Sequence, residues 1–336
     1  MKILSVAYPL LPVGADSGGG AEQILYLLER GLVQRGHHSV VIAAENSRIS
    51  GELVGTPSFR GEITEQVRST AQGVHRQAIN QVLTRFQPDL IHFHGLDFYE
   101  YLPSARIPRL GTLHLPPAWY PESVFSLPNI SLNCVSESQA NVAPGNARLP
   151  VVPNGVDVGL YRGCSGQRRH LLWIGRVCPE KGVHLALEVA HRLDLPIVVA
   201  GPVHPFREHE AYFSECVAPL LDEKRRYAGP VGLTEKKQLL AQAYCLLAPT
   251  LVAETSSLVA MEAISSGTPV VAYRSGALPE IVENGITGFV VDSQDEMANA
   301  IARVRDISPE ICRERASLRF DAECMVESYL KLYDSL

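Results

Sequence analysis

Apolar residues recur along the chain in short runs, and most of these runs are separated by longer stretches with helical spacing. Strand-like runs fall at 2–7, 38–43, 89–93, 109–113 and 130–135, and again near 170–174, 196–200, 244–248, 270–273 and 288–291. Such continuous runs fit strands buried on both faces, and strands alternating with helices predict parallel sheets covered on both sides. The clearest helix is Gln23 to Gln34. Its apolar positions Ile24, Leu25, Leu27, Leu28, Leu32 and Val33 make a wide core face, and Gly36 ends it. Helices are also expected at 64–86, 183–193 and 320–333. The fold class is therefore α/β with two Rossmann-like halves. Pro150 to Gly155 and the stretch Gly163 to Gly166 mark the expected linker.

Composition narrows the class. A chain of 336 residues with 46% apolar residues can fill two cores. Residues 1–160 carry 11 basic and 13 acidic side chains, and the remainder carries 19 and 23, which gives −2 and −4 of the total −6. Neither half is basic, so a nucleic acid is not expected as a partner. An anionic bilayer would attract a polybasic segment, and none is present. The first apolar run breaks at Pro9, too short for a signal peptide, and no uninterrupted apolar run of about 18 residues predicts a membrane span. Seven scattered cysteines without C-x-x-C spacing read as reduced thiols of a cytoplasmic protein, and none is assigned chemistry.

Three segments carry candidate chemistry. In Glu254 to Ala272, two glutamates stand eight positions apart, Glu254 and Glu262, with a helix start between them. A carboxylate accepts two hydrogen bonds from a vicinal diol, and a helix N-terminus offers free N–H groups to phosphate. The alternative is a dipole-favoured charge and a solvated helix face. In Gly175-Arg176-Val177-Cys178-Pro179-Glu180-Lys181-Gly182, a strand passes through a tight turn with two cations into a helix, which suits an anion in an α/β sheet. A surface loop with solvated cations is the other reading. Gly18-Gly19-Gly20-Ala21-Glu22 opens a helix and permits close backbone approach, but it is not a G-x-G-x-x-G fingerprint.

His92 and His94 share one face of a strand. No third ligand at suitable spacing accompanies them, so a metal pair is not expected. No D-x-D motif is present, and no divalent metal or other cofactor is expected at a diphosphate.

Together these residues resemble the family 4 retaining glycosyltransferases of the GT-B fold, over nearly the whole chain. The resemblance rests on GGGAEQ at 18–23, DLIHFHG at 89–95, Thr112-Leu113-His114, VVPNGVD at 151–157, GRVCPEKG at 175–182, AGP at 200–202, the Glu254–Glu262 pair and ALPEIVENGITGFVV at 277–291. It implies two Rossmann-like domains facing across a cleft, at 1–155 and 156–318, with residues 319–336 returning to the first. It implies transfer of a hexose from a nucleotide diphosphate sugar, UDP before GDP, to a hydroxyl acceptor. Arg176 and Lys181 would neutralise the diphosphate, with the amides of Gly19 and Gly20 assisting from the first domain. Gly175 and the amides of Leu258 and Val259 would lie by the phosphates. Glu262 would hold the ribose hydroxyls and Glu254 the donor sugar's 3-hydroxyl. His114 matches a donor-facing histidine, and His94 would lie on the acceptor side. The chain departs from many members at Thr255-Ser256-Ser257, which stands in place of Gly-Phe-Gly, so side chains occupy ground where the donor would lie against backbone. A nucleotide-sugar epimerase of the same architecture and a non-catalytic nucleotide-sugar-binding protein remain as alternatives.

Overall fold

A computed structural model describes every residue of the chain except 60, 62, 146, 147, 164 and 165. The chain divides into two compact units, one made of Met1–Gly155 with Ala322–Leu336, the other of Val156–Asp321. The division falls at Gly155. Gly163 to Gly166 lies inside the second unit, and its residues 164 and 165 are outside the described residues.

The first unit runs β1 (Lys2–Val6), α1 (Gly20–Gln34), β2 (His38–Ala44), β3 (Glu52–Thr56), α2 (Glu65–Phe86), β4 (Leu90–Phe93), β5 (Arg109–Leu113), β6 (Ser131–Cys134) and α3 (Glu137–Asn141). The sheet order is β3-β2-β1-β4-β5-β6, and every pairing is parallel. The apolar runs are apolar because both faces of these strands are covered. Leu4, Val6, Ile42, Ile91 and Phe93 are buried in one core with Ile79 and Val82 of α2. Helix α1 buries Ile24, Leu25, Leu28 and Leu32.

The second unit runs β7 (His170–Ile174), α4 (Val183–Arg192), β8 (Ile197–Ala200), α5 (Arg207–Tyr212), β9 (Arg225–Gly229), α6 (Leu233–Ala241), β10 (Ala243–Ala248), α7 (Leu258–Ser265), β11 (Val270–Tyr273), α8 (Leu278–Ile281), β12 (Gly288–Val291), α9 (Gln294–Arg303) and α10 (Pro309–Arg319). Its sheet is again parallel, in the order β12-β11-β10-β7-β8-β9. The apolar pattern does not announce β3 and β9. Both are edge strands, only partly buried along their length, so neither needs a continuous apolar run.

The final helix, α11 (Ala322–Tyr333), belongs to the first unit. It packs on α1, where Arg35 pairs with Glu323 at 2.6 Å, and it buries Met325, Val326, Tyr329 and Tyr333. Among the described residues, no helix is long and apolar enough to cross a membrane.

One glycine ties the second sheet together. Gly182, between β7 and α4, has φ +65°, and a Cβ there would lie 2.1 Å from the carbonyl oxygen of Pro249 beyond β10. Backbone strain and collision therefore act together. Gly182→Ala should lower the stability of the second unit by more than about 1 kcal/mol, measured by denaturant unfolding against the parent chain.

Candidate donor site of the second unit

In the second sheet the chain order reverses between β7 and β10. Strands β8 and β9 extend to one side, β11 and β12 to the other. Connections leave such a junction in opposite directions, which opens a crevice beyond the carboxyl ends of the strands. The turn after β7 and the segment after β10 meet there. Leu251 N and Thr250 Oγ1 donate to the carbonyl of Glu180, at 2.8 and 3.1 Å. Trp173 Nε1 donates to the carbonyl of Lys181 at 3.3 Å.

This backbone junction sets two side chains against each other. Lys181 Nζ forms an ion pair with Glu254 Oε1, with the side chains 25% and 16% exposed. Glu254 is held from the β11 side as well. Ala277 N donates to its carbonyl at 2.8 Å, and Ser275 Oγ donates to the carbonyl of Val252 at 2.6 Å. Gly276 lies between them at φ +53°, where a Cβ would sit 2.1 Å from the Glu254 carbonyl oxygen. The cation and the carboxylate expected to contact one donor are thus each other's partners here. Gly175 and Arg176 open the same turn, and Arg176 is exposed.

Helix α7 starts just beyond Glu254. Its N-cap, Ser257, makes no side-chain capping hydrogen bond to the first-turn N–H groups, which include those of Leu258 and Val259. Glu262 follows one turn later and is buried. Lys236 Nζ of α6 pairs with its Oε1 at 2.6 Å, with side-chain exposures of 18% and 8%. The pattern missed Lys236, because Lys236-Lys237 on a short helix reads as a solvated face. No sequence signal tells which lysine turns inward. Of the departing residues 255–257, Ser256 keeps a buried Oγ with no hydrogen-bond partner among the described residues. The end of this sheet therefore gathers Gly175, Arg176, Lys181, Glu254, Leu258, Val259 and Glu262. That set offers cations and helix N–H groups to an anion, and carboxylates to hydroxyls.

The remaining expected residues lie in the first unit. Gly19 is the extended N-cap of α1 and Gly20 its first residue. Glu22 is 5% exposed, and burial raises its pKa. His92 and His94 do share a face, with ring centroids 3.9 Å apart. Both nitrogens of His92 are engaged: Nδ1 lies 2.7 Å from Tyr333 Oη, and Nε2 lies 2.7 Å from Thr112 Oγ1. Thr112 donates its own hydrogen to Asn133 Oδ1 at 2.7 Å, so it accepts from His92. His92 thus anchors α11 under the sheet. His94, just past β4, sets its Nδ1 3.1 Å from His114 Nε2, just past β5. The structure brings these two histidines together as one stacked pair.

Comparison with known proteins agrees with this architecture. Residues 18–160 match the family model described as "Glycosyltransferase Family 4", and residues 168–306 match that described as "Glycosyl transferases group 1". A glycogen synthase of Mycobacterium tuberculosis is 25% identical over 99% of this chain and 94% of its own. Among solved structures, AviGT4, a glycosyltransferase involved in avilamycin A biosynthesis, superposes with a TM-score of 0.78 at 24% identity, over 100% of this chain and 98% of its own. Anabaena Alr3699/HepE in complex with UDP and glucose gives 0.74 at 19% identity over the full length of both chains. The two sheets and the structural neighbours show the GT-B fold, and the two family models define a glycosyltransferase acting on nucleotide sugars. The chain belongs to the family 4 glycosyltransferases.

The buried histidines of the first unit set a pH dependence. Burial lowers the pKa of His75 and His114 to about 4, and it holds His92 and His94 well below 6.5, helped by neighbouring histidines. The unfolded chain binds protons at these rings below about pH 6.5, and the folded unit does not. Stability is therefore unaffected above that pH and should fall as the pH drops toward 4. Thermal unfolding between pH 7.5 and 4 checks this, and replacing His75 by Phe should flatten the slope.

Proposed function

We propose that this protein is a retaining hexosyltransferase that uses a UDP-hexose and a hydroxyl acceptor without a divalent metal at the diphosphate. The observation that carries the reading is the strand-order reversal, where Lys181 and Glu254 meet in front of α7, whose N-cap Ser257 makes no side-chain capping hydrogen bond. UDP is preferred because a full-length structural neighbour is in complex with UDP and glucose.

Each residue then has a distinct task. Arg176 and Lys181 neutralise the charge that grows on the diphosphate as the glycosidic bond breaks, and the amides of Leu258 and Val259 add dipoles. Glu262, oriented by Lys236, receives the ribose diol. Glu254 receives the sugar's 3-hydroxyl. A donor phosphate offers Lys181 a second anion, so Glu254 becomes available to the sugar as the lysine turns to the phosphate. Ser256 Oγ, buried and without a hydrogen-bond partner among the described residues, supplies a hydrogen bond to the donor that the phenylalanine of other members could not.

The charge pairing also bears on stereochemistry. Inversion needs a general base, and double displacement needs a carboxylate nucleophile. Glu254 and Glu262 are held by lysines at the donor site. Front-face attack needs neither group: a leaving phosphate oxygen takes the acceptor proton, and the cations stabilise the resulting charge.

The first unit holds a pocket of about 240 Å³ beyond the ends of β1 and β3, lined in part by Leu10, Phe59, Val67 and Val74. It suits an acceptor with an apolar portion.

Incubation with UDP-hexoses in excess EDTA, with and without hydroxyl acceptors, tests the reading. Acceptor-dependent UDP release and an α-linked product from an α-linked donor are expected, the linkage read from the anomeric coupling in NMR. An epimerised donor without acceptor, a β-linked product, or loss of turnover restored by Mn²⁺ would refute it. Arg176→Ala should cut kcat on the order of a hundredfold. Calorimetry should separate the glutamates: Glu262→Ala weakens UDP binding about tenfold or more, whereas Glu254→Ala leaves UDP affinity unchanged and depresses transfer.

A further inference from the structure

The turn that carries Arg176 and Lys181 also carries Cys178 and Glu180, to which the proposed transfer assigns no role. Cys178, Glu180 and His209 converge there. One ligand atom from each, the thiol sulfur, a carboxylate oxygen and an imidazole nitrogen, lies within 4.8 Å of the other two. Cys178 is fully buried and Glu180 partly so, and both belong to the β7–α4 turn. His209 comes from α5, 29 residues beyond Glu180, so only the fold brings it to the turn. His209 is 9% exposed, and its Nδ1 is buried with no hydrogen-bond partner among the described residues. An unsatisfied imidazole nitrogen at such a place costs free energy unless something binds there.

We propose that Cys178, Glu180 and His209, none of them assigned to the diphosphate, form a binding site for a divalent cation of the Zn²⁺ class. Sulfur, nitrogen and oxygen donors in one set suit zinc better than the hard cations magnesium and calcium, which take oxygen ligands. Ligand atoms around a tetrahedral zinc lie roughly 3.5 Å apart, given bonds of about 2.0–2.3 Å. The present separations close to that by side-chain rotation of the cysteine, the glutamate and the histidine. Three protein ligands leave the fourth position to solvent. The cation would cross-link the turn that carries Arg176 and Lys181 to α5 and so restrain that turn. The short spacing Cys178-x-Glu180 is visible in the chain, but His209 reads as an ordinary helix residue until α5 is folded against the turn.

The site is tested by binding, so its result does not depend on the reaction proposed above. The full chain, stripped of metal with chelator and dialysed, is titrated with Co²⁺ as a spectroscopic probe and then with Zn²⁺ in competition. Saturation near one equivalent, with a thiolate-to-cobalt charge-transfer band displaced by Zn²⁺, is expected. Cys178→Ser should abolish the band, and His209→Gln should weaken binding tenfold or more. Circular dichroism and a cooperative thermal unfolding transition like those of the metal-free parent would show that both variants are folded. No charge-transfer band at one equivalent, or a band that persists in Cys178→Ser, would overturn the proposal. A variant that fails to fold is replaced by Glu180→Gln, for which the same weakening is expected and full affinity overturns the site.

Discussion

Every second-unit residue proposed for the donor lies where it does because the second sheet is parallel and its strand order reverses once. A parallel strand buried on both faces has no room for a charged side chain, so polar chemistry is displaced to the segments beyond its carboxyl end. The reversal between β7 and β10 then decides which of those segments become neighbours. Residues 175–182 and 249–257 are far apart in the chain, yet Leu251 and Thr250 bond to the Glu180 carbonyl, and Gly182 fits against Pro249. The first sheet has the same reversal between β1 and β4, where His94 N donates to the Val6 carbonyl at 2.9 Å.

On this frame the second unit stores its functional charges as pairs. A half-buried carboxylate without a partner would be costly, and the two lysines reduce that cost for Glu254 and Glu262. The pairs differ in setting. Lys181 and Glu254 sit at the mouth of the reversal and remain partly exposed, suited to exchanging partners with an incoming anion and hydroxyl. Lys236 and Glu262 are more deeply enclosed, suited to holding one geometry.

The histidines show how similar spacing leads to different roles. His92 and His94 lie two residues apart on one face. His92 faces Tyr333 and Thr112 and ties the last helix to the sheet, with both nitrogens used. His94 reaches the strand end and pairs with His114. Burial keeps all three neutral near pH 7, so they act as hydrogen-bonding groups rather than as cations.

What the chain discloses by itself is what local pattern can encode. Buried strands must be apolar, so most strands are visible as runs. Helix α1 shows its core stripe, and the turn at 175–182 and the start of α7 show their glycines, cations and carboxylates. The edge strands β3 and β9 escape notice because partial exposure removes the apolar run. Pairing is invisible for a different reason: it depends on which segments the sheet order makes adjacent. Lys181 with Glu254, Lys236 with Glu262, His92 with Tyr333, and Cys178 with His209 join residues 31 to 241 positions apart, or in the second case 26, and no spacing rule connects them. The sequence by itself determined the class of fold and the kinds of chemistry available. The tertiary structure alone decided which charges neutralise each other and which buried nitrogens are left without a hydrogen-bond partner among the described residues, because those outcomes depend on distance through space rather than along the chain.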